Sequence, residues 1–402
     1  MKNNCKNFAL VDEHNTLINY NSLILRKKKI ERFFKEKKIV FLLAENNIEI
    51  ISEYLCLFLL KQTVVILNNS LSKSSLDKLI QKFKPNYIFL NKKISSKFFF
   101  NKKKYETANF CMMEINKTNI FPNKELFLIL PTSGSSGSSK FVKLSFKNII
   151  FNSNAIIKYT KLRSKDMSVT ILPFYYSYGI SVINSHFFSG GKILVTNRNF
   201  FDPIFWQNLE KFKVTNLSLV PFQYEILKKI GLKRIAISSI KFLTQAGGKL
   251  DINLANKITK YILKLKKNFY IMYGQTEASP RISYIKNQNI LKYPGSVGKA
   301  IPGGRIFINK ANFKGIGEII YYGPNVFCGY FESINDYKHC KSLLKLNTSD
   351  LGYLKKNNLY IVGRKSREEK IYSIRINLDK LEENFNKFEI KEIKKDMKLF
   401  IF

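Results

Sequence analysis

Histidine, tryptophan, cysteine and acidic residues are all scarce here: 402 residues hold 3 His, 1 Trp, 5 Cys and 29 Asp plus Glu against 68 Lys plus Arg. Cys5, Cys56, Cys111, Cys328 and Cys340 form no CxxC pair and have no His at ligand spacing, so neither a zinc site nor a disulfide framework is indicated. A reducing, cytoplasmic setting is expected. Long apolar runs are missing too. The most apolar stretch, Tyr54 to Leu67, is broken by Lys61 and Gln62, and the start, MKNNCKNFALVDEHNTLINY, lacks the apolar core of a signal peptide. Neither an export signal nor a transmembrane segment is expected.

The shortage of acids leaves a net charge of 68 − 29 = +39. Taken alone, that excess points to nucleic acid or an anionic membrane, because clustered Lys and Arg release counterions from phosphates. Its distribution argues otherwise: basic residues occur along the whole chain, which is equally crowded with Asn, Ile, Phe and Tyr, as AT-rich codons produce. No specific nucleic-acid partner is expected. With 45% hydrophobic and 24% charged residues the balance is that of a globular protein, and the length allows two or three domains at roughly 150 residues each.

What is present is an alternation. Short apolar runs, Ile39 to Ala44, Thr63 to Asn68, Asn86 to Asn91, Leu126 to Pro131 and Lys192 to Asn197, recur between amphipathic stretches. Strands alternating with helices imply largely parallel sheets covered on both faces. SLSKSSLDKLIQKFKPN places Leu76, Ile80 and Phe83 on one helical face and ends at Pro85, so Val64 to Leu90 reads as a βαβ unit. Further buried strands are expected at Val169 to Leu172, Leu217 to Val220, Ile240 to Thr244 and Phe269 to Met272. The last third is turn-rich with short alternating strands, which predicts a β-rich subdomain, and the chain closes on a lysine-rich stretch with a strand-like MKLFIF.

The strongest local signal is LILPTSGSSGSSKFVKLSFKNII, Leu128 to Ile150: a buried strand, a Ser/Thr/Gly loop with one lysine, then a helix beginning near Ser145. Such a loop can wrap N–H groups and hydroxyls around a polyphosphate, with Lys140 adding charge. It is not GxxxxGK[ST], because no lysine follows Gly137. On its own such a loop is more often a flexible connection. In FYIMYGQTEAS, Phe269 to Ser279, an aromatic, a Gly, a hydroxyl and a carboxylate follow an apparent strand. Tyr273 can pack on a base, Thr276 can meet a phosphate oxygen, and Glu277 can hold Mg²⁺, a cation that prefers oxygen ligands. A strand ending in a turn with an exposed Glu explains the same residues.

Five segments stand in order: TSGSSGSSK, YGQTE, PGSVGKAIPG, GEIIYYGPNVFCGYF and TSDLGYL…LYIVGRK. Their order and spacing resemble the adenylate-forming (AMP-binding) superfamily of acyl-CoA synthetases, peptide-synthetase adenylation domains and luciferases. The resemblance spans Thr132 to Lys365 strongly and is weakest before Ile39. It implies an α/β main domain over residues 1–363, with two layered, mostly parallel sheets plus the β-rich subdomain, and a truncated α+β lid over 364–402.

The same resemblance implies roles. Thr132, Ser133, Ser135, Ser136 and Lys140 match the loop that gathers the β- and γ-phosphates of ATP, with Gly134 and Gly137 permitting its turns. Tyr273 matches the adenine-side aromatic with Gly274 beside it, Thr276 the α-phosphate ligand, Glu277 the Mg²⁺ ligand, Asp350 the ribose carboxylate and Arg364 a ribose or phosphate arginine. LPFYYSYG, Leu172 to Gly179, occupies the acyl-pocket motif, with Tyr176 where a His is common; ordinary core packing accounts for it equally well. QAGGKL, with Gly247 and Gly248, matches the strand end lining the acyl side, which a plain turn also explains.

Departures fall in the lid. Only 402 − 364 = 38 residues follow Arg364. Ser366 stands where a hinge Asp or Lys is usual, and Tyr372-Ser373 where a flexible glycine pair lines the thiol path; Lys370 and Arg375 stay in register. No PxTxxGK-like segment occurs, so no residue is assigned to the lid lysine, whose loss is expected to slow adenylation about 10²–10³-fold. The resemblance implies ATP-dependent activation of a carboxylic acid, a fatty acid being the first expectation, with transfer to coenzyme A. Alternatives are a carrier-protein phosphopantetheine or amine acceptor, a lysine lent by another polypeptide, and a binding remnant without turnover. No Asp closely follows Tyr176 to grip an α-amine, which disfavours amino acids.

Overall fold

The computed structural model describes residues 8–95, 102–117, 120–132, 140–365, 368–371 and 374–377. The expected apolar runs become strands: Ile39–Ala44, Thr63–Asn68, Tyr87–Asn91, Leu126–Pro131 and Lys192–Val195. They are inaccessible on both faces because helices cover them. Val40, Leu42 and Val64 point into one apolar cluster, whereas Ile39, Phe41, Leu43 and Val65 point into another, as the two-residue period of a strand requires.

An eight-stranded sheet runs in the order Tyr330–Phe331, Phe141–Ser145, Leu126–Pro131, Thr63–Asn68, Ile39–Ala44, Tyr87–Asn91, Phe110–Glu114, Lys102–Glu106. A nine-stranded sheet runs Asn216–Leu219, Phe242–Gln245, Asn268–Tyr273, Ser283–Lys286, Ser296–Ala300, Asn358–Arg364, Lys345–Lys355, Gly317–Tyr322, Arg305–Asn309. A four-stranded sheet joins Phe8–Asp12 and Leu17–Asn19 to Met167–Val169 and Lys192–Val195. The α/β class holds, with one refinement. The sheets are not mostly parallel as expected: parallel pairing occupies the middle of the eight-stranded sheet, as in Ile39–Ala44 beside Thr63–Asn68, and one edge of the nine-stranded sheet, as in Asn216–Leu219 beside Phe242–Gln245, while the other neighbours in both pair antiparallel, as Leu126–Pro131 does with Phe141–Ser145. Apolar runs do not reveal direction; the short connections that forbid a crossover do. The β-rich last third is the antiparallel part of the nine-stranded sheet.

Between the two large sheets lie helices Ile48–Leu59, Phe146–Thr160 and Ser177–Ser189, whose Tyr54, Ile156 and Phe187 share a core with Leu128 and Met272 of opposite sheets. Lys73–Phe83 covers the outer face of the first sheet with Leu76 and Phe83. Ile252–Lys264 covers the outer face of the second with Leu254, Ile258 and Ile262. Ser145 starts helix Phe146–Thr160 as expected: its hydroxyl accepts from Asn148 N–H at 3.1 Å, and Asn148 Oδ1 accepts from Ser145 N–H at 2.8 Å. The nine-stranded sheet's strand ends at Arg364, and a separate hairpin, Glu368–Ile371 with Ile374–Asn377, follows and pairs Lys370 with Arg375. Ser366, Tyr372, Ser373 and MKLFIF lie outside the described residues. No helix among the described residues is long and apolar enough to cross a membrane.

Candidate active site

Three strands deliver the candidate residues at their carboxyl ends, where open α/β sheets hold ligands. Leu126–Pro131 leads into the Ser/Gly loop. Its neck is closed by Thr132 N–H donating to Lys140 C=O at 2.8 Å, with Pro131 paired to Phe141. Ser133, Gly134, Ser135, Ser136 and Gly137 lie outside the described residues; Thr132 and Lys140 mark where that loop leaves and returns.

Asn268–Tyr273 delivers the second group. The Tyr273 phenol donates to Asp350 Oδ2 at 2.6 Å, and Arg364 Nε meets Asp350 Oδ1 at 2.6 Å. Asp350 and Arg364 are cross-strand partners, so the sheet register sets that pair. Burial and the neighbouring carboxylate push the Tyr273 phenol well above its ordinary value, so it stays a neutral donor. Gly274 is obligatory in this turn: a Cβ there would sit 1.7 Å from the Pro280 carbonyl oxygen.

Thr276 and Glu277 follow in a 3₁₀ turn, Thr276–Ala278. Thr276 Oγ1 donates to Ser177 Oγ at 3.1 Å, at the start of helix Ser177–Ser189, whose amino end carries partial positive charge. Glu277 Oε1 accepts from the Tyr330 phenol at 3.0 Å, and Lys140 Nζ stands 5.1 Å from the centroid of the same Tyr330 ring. Tyr330 thus links the loop lysine to the carboxylate. Among the described residues no cluster of three His, Cys, Asp or Glu could hold a metal by itself. A single half-buried carboxylate does suit Mg²⁺, which binds through one or two carboxylates plus substrate phosphates.

The acyl-side candidates also meet. Gly247 has φ +88°, and a Cβ there would lie 2.6 Å from the Tyr176 hydroxyl and 3.3 Å from Val220 Cγ1. Gly248 faces Pro221, whose Cγ would be 3.2 Å from such a Cβ. Both glycines follow strand Phe242–Gln245, and the Tyr176 hydroxyl packs directly against Gly247.

Sequence reading passed over several residues of this neighbourhood. Asn325, fully buried, donates from Nδ2 to the carbonyls of Ala278 (2.5 Å) and Arg281 (2.8 Å) and accepts from the Tyr321 phenol at 2.8 Å. It locks the turn carrying Thr276 and Glu277. Asn148 Nδ2 reaches the carbonyls of Pro324 and Val326 at 2.7 and 2.9 Å. Asn325 and Tyr330 both sit in GPNVFCGYF, so the motif carried the signal while its partners did not show. Arg281 was missed altogether, lying four residues beyond Glu277.

A family model described as "AMP-binding enzyme" matches residues 3–331. Among curated proteins, a 2-succinylbenzoate–CoA ligase of Lactococcus lactis is 26% identical over 335 residues, 81% of this chain and 69% of that protein. An indoleacetate–CoA ligase of Aromatoleum aromaticum is 26% identical over 248 residues, 59% of this chain and 47% of that protein. Among solved structures, ATP-bound MatB from Rhodopseudomonas palustris gives a TM-score of 0.74 at 20% identity, covering 96% of this chain and 81% of that one. The Bacillus subtilis o-succinylbenzoate coenzyme A synthetase in complex with ATP and magnesium gives 0.71 at 19%, covering 92% and 79%. At these identities the likeness to solved structures is one of fold.

Proposed function

Because the chain belongs to the AMP-binding enzyme family, we propose that it joins a carboxylic acid to the α-phosphate of ATP and then passes the acyl group to the thiol of coenzyme A. The observation that carries this reading is the convergence of Tyr273, Asp350 and Arg364 on one side and Thr276, Glu277, Tyr330 and Lys140 on the other, from segments up to 364 − 140 = 224 positions apart.

In the first step a carboxylate oxygen attacks the α-phosphorus in line, and the bond to the bridging oxygen breaks to release pyrophosphate. In the second the thiolate attacks the acyl carbon and AMP leaves. Catalysis of such transfers rests on positioning and charge stabilisation. Asp350 accepts the ribose hydroxyls, Tyr273 lies along the base, and Thr276 donates to the α-phosphate. Thr132, Lys140 and the loop between them, Ser133 to Gly137 included, steady the departing pyrophosphate. Glu277 would hold Mg²⁺, whose charge would offset that developing on the phosphates.

Tyr176, Gly247 and Gly248 border the acid. A fatty acid, the first expectation, finds no support: the acids in the relatives' names are 2-succinylbenzoate and indoleacetate. An aryl-bearing acid is the better reading, with coenzyme A as acceptor because those relatives are CoA ligases. We place a lid from Arg364 onward, leaving residues 1–363 as the nucleotide-binding body, and the protein in a reducing compartment.

The test is acid-dependent ATP–pyrophosphate exchange by the purified protein, beside Glu277→Ala. Exchange that needs an aryl acid and disappears in the variant supports the reading. Measurable ATP binding without exchange for any acid overturns it.

A further inference from the structure

Arg281 is 3% exposed and stands where the chain turns from the Thr276–Ala278 segment into strand Ser283–Lys286. Asn325 holds its carbonyl at 2.8 Å, and its own N–H reaches Asn152 Oδ1 at 3.3 Å. These contacts fix the backbone and send the side chain into the helical layer between the sheets.

There the guanidinium carbon lies 4.3 Å from the centroid of the Tyr178 ring, and Nη2 donates to Ser181 Oγ at 3.1 Å. Nε is buried with no hydrogen-bond partner, and no carboxylate among the described residues pairs with the group. Arginine keeps its proton in proteins, so the charge remains. Burying such an ion without a counter-ion costs several kcal/mol, more than the roughly 2 kcal/mol of a desolvated cation–π contact. Something else must account for the arginine.

Beside it is a cavity of about 20 Å³ bordered by Arg281, Tyr159, Ser181, Ser185, Asn216 and Thr244. Its walls mix these polar groups with apolar Ile156, Leu162, Val182, Phe242 and Met272, hold no carboxylate, and carry Arg281 as their cation. Burial pushes the Tyr159 phenol up to about 12, against the opposing pull of Arg281, so it remains a neutral donor. His186, also in the wall, is held neutral by burial, with Nδ1 to the Val182 carbonyl and Nε2 toward Asn216. The space takes one small group, and the buried Arg281 charge, with Nε unsatisfied, favours an anion there. It also lies near the acyl-side candidates: Thr244 shares a 2.7 Å hydrogen bond with the Tyr178 hydroxyl and lies on the strand that ends before Gly247.

We propose that Arg281 receives a second, distal carboxylate of the acid, making this a ligase for dicarboxylic acids in which one carboxylate is adenylated near Thr276 and the other ion-pairs with Arg281. This rests on the acid-activating reading above. It goes further by assigning Arg281 as the residue that sets substrate charge.

The test uses matched acids differing in the distal carboxylate: 2-succinylbenzoate against 3-benzoylpropionate, and adipate against hexanoate. ATP–pyrophosphate exchange gives kcat/KM for each with the unaltered protein, Arg281→Met and Arg281→Lys, while calorimetry gives the Kd of each acid. In at least one pair the unaltered protein prefers the diacid; Arg281→Met lowers the diacid-to-monoacid ratio about 100-fold, and Arg281→Lys restores part of it. Unchanged ATP affinity confirms that the variants are folded. An arginine that merely braces the core would lower both acids together and leave the ratio unchanged, overturning the proposal, as would an unaltered protein that binds no diacid. If exchange is absent with every acid, the activating reading fails, and the calorimetric ratio still decides the role of Arg281.

Discussion

The Tyr273 phenol donates to Asp350 across 2.6 Å of buried space, joining residues 77 positions apart. With Arg364 on the other carboxylate oxygen, three side chains form one acid–base cluster at the proposed ribose site. Asp350→Ala strands a buried hydroxyl and a guanidinium together. We expect ATP affinity to fall about 10–100-fold, as for losing a charged hydrogen bond, with a smaller fall for Tyr273→Phe. Calorimetric Kd values for ATP check this, and an unaltered Kd in Asp350→Ala removes the ribose role.

Tyr330→Phe keeps the ring beneath Lys140 but deletes the 3.0 Å donor to Glu277. The carboxylate loses its orientation, so the Mg²⁺ concentration for half-maximal exchange should rise severalfold while the KM for the acid stays put. A change in acid KM alone would contradict the assignment.

Gly274→Ala places a methyl group into the Pro280 carbonyl, 1.7 Å away. Backbone offers no flexible end to yield, and overpacking on this scale costs about 3 kcal/mol. Denaturant midpoints should fall accordingly; a variant as stable as the parent would show that the turn can relax.

His186 is lowered from its ordinary 6.5 to about 4 by burial. Between those values the unfolded chain binds a proton that the folded chain refuses, so stability is lost as pH falls from 6.5 toward 4. The total is about 3 kcal/mol. His186→Gln should flatten that slope in urea titrations; an equal slope in both proteins would place the acid sensitivity elsewhere.

Cys328 and Cys340 bring their sulfurs within 2.9 Å, and the Cys340 thiol, donating to Cys328, holds the Cys328 thiol below its ordinary value. A mild dithiol oxidant such as diamide should remove two titratable thiols together, each cysteine giving up one hydrogen to the reagent. Cys328→Ser should abolish the paired loss. Independent reaction of the two would refute the pairing.

Much of this was legible beforehand, for identifiable reasons. Ile39–Ala44 and Thr63–Asn68 are buried on both faces, so their apolar runs are uninterrupted and their bounds coincide with the expected ones. Ser145 declared its helix because a cap is a local hydrogen-bonding device. Strand direction was hidden, since Val142 and Leu144 read alike whichever way they pair. In the site, Tyr273, Thr276 and Glu277 sit in one contiguous motif. Tyr330 and Asn325 sit in a motif legible in the sequence, but their partners, like those of Arg281, are supplied only by the folded chain. Cys328 and Cys340 lie 12 apart, a spacing unlike any recognised ligand or redox motif, yet fold into contact.

Tyr330–Phe331 pairs with the edge strand at Phe141 and Val142, 331 − 141 = 190 residues earlier. During synthesis at about 5–20 residues per second, that edge waits roughly 10–40 s for its neighbour. Throughout that interval the ribosome-bound chain exposes an unpaired rim to other nascent chains. The protein is therefore expected to depend on chaperone shielding while it is made, and to tolerate slow translation after Ser145 poorly.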